Sequence, residues 1–277
     1  MPHVSSIHVY PVKSLRGYSV PMAEMDVLGL MGDRRFLIID EHGGMLTQRT
    51  WPRMALISTA LTASHLLLSA DGLGDISVPR AADSSAAQIT VSVWRSTGLL
   101  TEDCGDAASQ WLSAALQTPC RLVRIGAGFH RPVLKQAAIA GDVTSFVDGS
   151  PILIISEASL ADLNDRIQEN GGDPVPMDRF RPNVVVSGCT AFAEDAWPSV
   201  QMGGVSLRAA GKSDRCIMTT TDQRTGVRGK EPLKTLASFR RDAAEPGAVF
   251  FGANFIQESK QGVLRVNDEV VVTWPQL

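Results

Sequence analysis

Aromatic residues make up only 6% of the 277 residues, too few to build the stacked platforms that hold single-stranded nucleic acid. Neither sign of charge dominates: a net charge of −3 leaves no broad basic surface for nucleic acid or an anionic membrane. No apolar run nears the roughly 18 residues of a membrane span. The start, Met1-Pro2-His3-Val4-Ser5-Ser6, lacks the charged opening and apolar core of a signal peptide, so a cytoplasmic location is expected. The four cysteines, Cys104, Cys120, Cys189 and Cys216, form no CxxC pair and no zinc spacing with the five histidines. A reducing compartment is the simpler reading.

Nucleotide-binding motifs are lacking as well. Gly211-Lys212-Ser213 resembles the end of a phosphate loop, but Ser206 stands where its first glycine belongs. No G-x-G-x-x-G opens a helix after a strand, and lone residues assign neither a Ser/His/Asp triad nor a glycosidase carboxylate pair.

What is present is an ordinary globular composition, 44% hydrophobic and 20% charged, long enough for one large or two modest domains. Short apolar strands are expected at Ile7–Tyr10, Arg35–Asp40, Met54–Ala60, His65–Ser69 and Ile89–Trp94, divided by Gly and Asp clusters. Ala81–Ala87 reads as a surface loop. Ala108, Trp111, Leu112, Ala115 and Leu116 recur at helical spacing over Asp106–Leu116. A strand at Arg121–Ile125 and an unpatterned stretch to Ala140 follow.

The second half opens with a buried strand, Pro151–Ile155, and a helix, Glu157–Gln168, capped by Ser156. Asn183–Ser187 reads as a strand, Gly203-Gly204 as a hairpin turn, and Pro232 as the start of a short helix. Three closing strands are expected at Val249–Phe255, Val263–Val266 and Val270–Trp274. The expected fold class is α+β, predominantly β, with two barrel-like lobes and a few short helices: residues 1–125 and 126–277.

The richest stretch is Ser213-Asp214-Arg215-Cys216-Ile217-Met218-Thr219-Thr220-Thr221-Asp222, running on through Arg224-Thr225-Gly226 to Lys230-Glu231-Pro232-Leu233. Cys216 opens what reads as an extended segment. A soft metal ligand must be a thiolate, which the neighbouring Arg215 favours and the two aspartates oppose. Taken alone, a single cysteine is more often an inert buried thiol. Lys13 and Ser14 end Pro11-Val12-Lys13-Ser14 at a turn, where a lysine is usually just solvated. Arg34 lies in Gly32-Asp33-Arg34-Arg35-Phe36, and Ser150 in Asp148-Gly149-Ser150-Pro151, a turn whose N–H and O–H groups suit an anion. In Phe180-Arg181-Pro182-Asn183 the proline biases Arg181 towards an extended backbone.

These segments, in this order, resemble the MOSC family, and in particular its amidoxime-reducing members: Pro-Val-Lys-Ser, Asp-Arg, Phe-Arg-Pro-Asn, Arg-Cys-x-x-Thr-Thr-x-Asp-x-x-Thr-Gly and Lys-Glu-Pro-Leu. Ser156–Asn164, Val186–Cys189 and Thr47-Gln48-Arg49 match too, the last with no role assigned. The resemblance implies a β-barrel region followed by a MOSC domain. It implies a molybdenum cofactor (Mo-molybdopterin) whose metal is bound by Cys216, and, for the wider family, an association with pyridoxal phosphate. It places Lys13 and Ser14 on the cofactor's phosphate, and Arg34, Ser150, Arg181, Asn183, Asp214 and Arg215 around phosphate or pterin. Asp214 departs from the serine frequent in this type.

The activity implied is reduction of small N-hydroxylated compounds. Electrons would come from a separate ferredoxin, flavoprotein or cytochrome, with no nucleic acid or membrane partner, because neither the N-terminal anchor of mitochondrial members nor the fused iron–sulfur domain of some bacterial ones is expected. Two other readings stay open. One is a carrier of molybdenum cofactor or of persulfide sulfur on Cys216, without turnover. The other is an interaction protein on the same scaffold.

Overall fold

The computed structural model describes residues 1–81, 85–242 and 245–274. It is mainly β, with three α-helices among the described residues: α1 (Asp106–Leu116), α2 (Glu157–Glu169) and α3 (Leu233–Phe239). Part of the loop expected at Ala81–Ala87, residues 82–84, lies outside the described residues.

One large sheet organises the molecule. Across it run Val270–Thr273, Ser199–Met202, Val205–Asp214, Glu245–Gln257, Ile152–Ser156, Val184–Ser187, His3–Val9 and Tyr18–Val20, with Arg241–Asp242 paired off this path. Its neighbours are antiparallel except Ile152–Ser156 and Val184–Ser187, which run parallel in the register Ile154 to Val184. Parallel strands need a crossover, and α2 supplies it. Ser156 caps that helix by accepting the Ser159 N–H at 3.0 Å, and the buried carboxylate of Glu194 fixes the corner by accepting from Ser156 N and Ser159 Oγ. Leu163 and Ile167 of α2 then bury beside Phe180, Phe251 and Leu236 of α3.

A second sheet, in the order Phe36–Ile39, Arg121–Ile125, Ser96–Asp103, Gln88–Val93, carries α1. Ala108, Leu112, Ala115 and Leu116 form the buried face of α1, packed with Phe36, Ile38 and Leu122. Each fully buried Leu, Ile or Phe contributes about 1.5–3 kcal/mol. Trp111 stays at the edge, its indole donating to Gly74 O at 3.0 Å. Two three-stranded sheets complete the frame.

Some sequence expectations are corrected. Met54–Ala60 is not one strand. Pro52–Leu56 is a 3₁₀ turn with proline in its first turn, where no N–H is needed, and Ser58–Leu61 is the strand. The residues after Cys216 are not extended: Ile217–Thr220 forms a 3₁₀ turn, because the Thr219 and Thr220 hydroxyls bond back to Cys216 O and Ile217 O. His3–Val9 pairs with Val184–Ser187, so the first strand closes the sheet of the second half.

That crossing positions the site. After Val9 the chain leaves the large sheet and joins the second one, with Lys13 N bonded to Phe36 O and Phe36 N to Pro11 O. The turn holding Lys13 and Ser14 is therefore suspended between the two sheets.

Candidate functional site

The nine residues singled out in the sequence come together. Lys13, Ser14, Arg34, Ser150, Arg181, Asn183, Asp214, Arg215 and Cys216 all line one cavity of about 450 Å³ between the two sheets. Its wall carries seven basic side chains (Lys13, Arg34, Arg49, Lys135, Arg179, Arg181, Arg215) and two acidic ones (Asp148, Asp214). A chain of net charge −3 thus concentrates positive charge in one concave place, the arrangement that attracts an anion.

Three of the nine stand in left-handed backbone, Ser14 at φ 68°, Arg34 at 49° and Arg181 at 56°. Each costs on the order of 1–3 kcal/mol and persists only where the surroundings enforce it. For Arg181 this corrects the extended conformation that Pro182 leads one to expect. Its guanidinium donates to Leu15 O at 2.7 Å and lies 4.3 Å from the centre of the Tyr10 ring. Arg34 lies 4.2 Å from the same ring, donates to Asp33 at 2.6 Å and reaches Arg181 O at 3.2 Å. Burial pushes the Tyr10 hydroxyl up to about 12, so the ring stays neutral beside both cations.

The cations are crowded. Burial, then repulsion from Arg34, lowers Arg181 to about 10. Burial lowers Arg215 to about 10 against the attraction of Cys216 and Asp148. Burial likewise brings Lys13 down to about 8, with Asp148 opposing the change. Buried, mutually repelling cations gain when an anion enters.

Asp148 already supplies part of that charge. Partial burial disfavours the ionised form of this half-exposed side chain, but Lys13, Arg49 and the Trp94 indole outweigh that and hold it well below the usual carboxylate range. Lys13 is therefore not a free cation. Its ammonium donates to Phe146 O at 2.9 Å and to Asp148, leaving one of three donors for a ligand. Asn183 is similarly engaged, with its amide oxygen on Leu153 N at 3.3 Å and its nitrogen on His8 O at 3.4 Å. The exposed Asp214 accepts from Val249 N at 3.1 Å.

Other donors have no partner. Arg49 Nη1, Ser150 Oγ, Arg179 Nε, Arg181 Nη2 and Arg215 Nε are buried without a hydrogen bond, and all five side chains line the cavity. Each such unmade bond costs about 1–3 kcal/mol, so the wall is complementary to a ligand rich in acceptors.

Cys216 is half-buried at the head of its 3₁₀ turn. Arg49, given no role by the sequence reading, lines the same cavity wall as Cys216 and pairs with Asp148 at 3.0 Å. Thr47-Gln48-Arg49 was visible as a motif, but nothing in it announced a place beside a residue 167 positions on. Trp94 was missed entirely. Its indole donates to Asp148 at 3.0 Å and lies 4.4 Å from the Arg49 guanidinium.

The rest of the cysteine motif is scaffolding. Asp222 turns the chain by accepting from Arg224 N and Thr225 N, and pairs with Arg179 at 2.9 Å. Gln223 and Gln48 exchange amide hydrogen bonds of 3.0 and 3.1 Å, both buried, which fastens the cysteine loop to the Arg49 segment. No group of three or more His, Cys, Asp or Glu able to hold a bare metal ion exists among the described residues.

Fold and cavity together define a β-rich protein with a cation-lined cleft that has one thiol in its wall. The chain belongs to the MOSC family, in its amidoxime-reducing branch. Residues 1–119 match the MOSC N-terminal beta barrel domain and residues 141–271 the MOSC domain. It is 39% identical to the mitochondrial amidoxime-reducing component 1 of Homo sapiens over 96% of this chain and 82% of that protein. It is 37% identical to the Mus musculus component 1, over 96% and 81%, and 37% identical to the mitochondrial amidoxime reducing component 2 of Bos taurus, over 96% and 82%. No helix among the described residues is long and apolar enough to cross a membrane. Those relatives are mitochondrial by name, so they lend the cytoplasmic expectation no support.

Proposed function

We infer that the cavity is the binding site of a molybdenum cofactor, that Cys216 is the protein's ligand to its metal, and that the protein reduces N-hydroxylated compounds. The observation that carries this reading is the set of unpartnered buried donors on Arg49, Ser150, Arg181 and Arg215 around a cavity that also contains Cys216. A phosphate-bearing pterin supplies the acceptors those donors lack. With no cluster of protein ligands for a bare ion among the described residues, a metal arriving with its own dithiolene sulfurs and needing one further soft ligand fits the donor set.

In this reading Arg181, Arg34 and Ser150 hold the anionic cofactor, Lys13 and Ser14 face its phosphate, and Asn183 keeps its strand in register beside them. Arg49 and Arg215 line the wall beside Cys216 and place positive charge around its sulfur. Asp214 fixes the cysteine loop against Val249. When bound, the cofactor supplies two-electron redox chemistry at the metal. The overall reaction cuts one N–O bond, takes up two electrons and two protons, and releases an amidine or amine plus water.

The electrons come from a separate donor protein of ferredoxin, flavoprotein or cytochrome type, since the four cysteines are free and dispersed. The names of the amidoxime-reducing relatives support the substrate class.

The test is to make the protein in a host that produces the cofactor, quantify molybdenum, and incubate it with benzamidoxime and dithionite. About one molybdenum per chain with benzamidine formed is the expected result. Molybdenum without turnover identifies a carrier instead, and protein without molybdenum overturns the assignment.

A further inference from the structure

A second hollow, of about 330 Å³, shares Trp94, Lys135, Asp148 and Gly149 with the cavity above, so the two adjoin. Its own wall adds Arg95 and Arg131. Arg131 is committed to the fold, with Nη1 donating at 2.6 Å to both Ser145 O and Val147 O. Lys135 and Arg95 differ, because among the described residues neither side chain makes a hydrogen bond or ion pair. Asp148, the hollow's one carboxylate, is spent on Lys13, Arg49 and Trp94. Two available cations thus face no free anion.

Trp94 forms the shared wall. It occupies the tip of the hairpin between Gln88–Val93 and Ser96–Asp103 in left-handed backbone, φ 53°. That conformation is strained for a bulky side chain. Asp148 and Arg49 pin the indole, yet 45% of the residue remains exposed. A fixed, half-exposed indole loses little freedom when a flat ring packs on it. Arg49 stacks on this indole, and both line the cavity that contains the Cys216 sulfur, which puts a ring lying on Trp94 beside the cavity of the proposed metal ligand.

We propose that this second hollow is the substrate pocket, and that it selects planar aromatic N-hydroxylated compounds bearing an anionic group, the ring packed on Trp94 and the anion held by Lys135 and Arg95. The proposal rests on the N-reductase reading above for its chemistry, but not for its binding geometry.

Two measurements separate the two. In the first, kcat/KM with dithionite is compared for 4-carboxybenzamidoxime, benzamidoxime and acetamidoxime. Trp94→Ala should lower the preference for benzamidoxime over acetamidoxime about tenfold, and Trp94→Phe should keep most of it. Lys135→Gln should lower the preference for the carboxylated over the plain aromatic substrate about fivefold. In the second, 4-carboxybenzamidoxime is titrated calorimetrically into oxidised holoprotein without reductant, where no turnover occurs. Lys135→Gln and Trp94→Ala should each weaken binding several-fold. Binding without any turnover overturns the reductase reading and leaves the pocket standing. Preferences and affinities that match wild type in both variants overturn the pocket.

Discussion

Two cysteine environments divide this molecule. Under α1, in the packed region where Leu112, Leu116 and Leu122 bury, burial pushes the Cys104 thiol up to about 12 and raises Cys120 as well. In the cleft, Cys216 shares its wall with Arg49, Arg181 and Arg215. The side chain is the same. What differs is the company, leucines under a helix in one place and guanidiniums in the other, and reactivity at a cysteine belongs to the residues around it.

The sharpest way to break that comparison is to delete the sulfurs one at a time. Cys216→Ala is expected to reduce N-reduction to background with the thermal midpoint kept, whereas Cys104→Ala should leave kcat/KM within about twofold. Equal losses in the two would end the distinction.

Next in size is the cation wall. Arg181→Ala removes a buried charged donor and should lower the molybdenum content of purified protein at least about tenfold, the scale of one charge-assisted hydrogen bond. Arg181→Lys should recover only part, since the fork geometry is lost. Unchanged metal content by elemental analysis would remove Arg181 from the site.

pH offers a gentler probe. Lys13 falls from 10.5 to about 8 on folding because burial disfavours its charge. The unfolded chain therefore binds the extra proton between about pH 8 and 10.5, and this lysine's contribution makes the fold more stable as pH rises through that window. Cofactor holding runs the other way: as Lys13 loses its proton above about pH 8, a phosphate loses a partner. Molybdenum retained on dialysis should fall across pH 8. In Lys13→Arg that fall should vanish, and in Asp148→Asn it should move to lower pH, because Asp148 raises Lys13.

The smallest effect belongs to the apolar side of the comparison. Cys120→Ala should cost about 1 kcal/mol of unfolding free energy in urea titration with no change in molybdenum content.

Much of this was legible in the chain. The period of α1 and the Ser156 cap of α2 predicted both helices, because a buried stripe and a cap are local patterns. The Gly203-Gly204 hairpin was visible for the same reason. Cys216, Arg181, Lys13 and Ser150, which line one cavity, were identifiable as candidates through their motifs. Their conformations were not. Arg181 adopts φ 56° against the preference set by Pro182, since its guanidinium is anchored on Leu15 O and Tyr10, neither of which is near in sequence. Trp94, read only as the end of a strand, became part of the site through a bond to Asp148, 54 residues away.

By itself, then, the amino-acid order singled out nine side chains that line one cavity and many of the short segments that coil or extend, because motifs, caps and periods depend on neighbours a few positions apart. Only the three-dimensional arrangement decided that Lys13 is held by Asp148, that Arg49 shares a cavity wall with Cys216, and that the first strand closes the sheet of the second half. Those pairings join groups separated by more than a hundred residues, and their energy arises from charges and donors removed from water together, which no local pattern encodes.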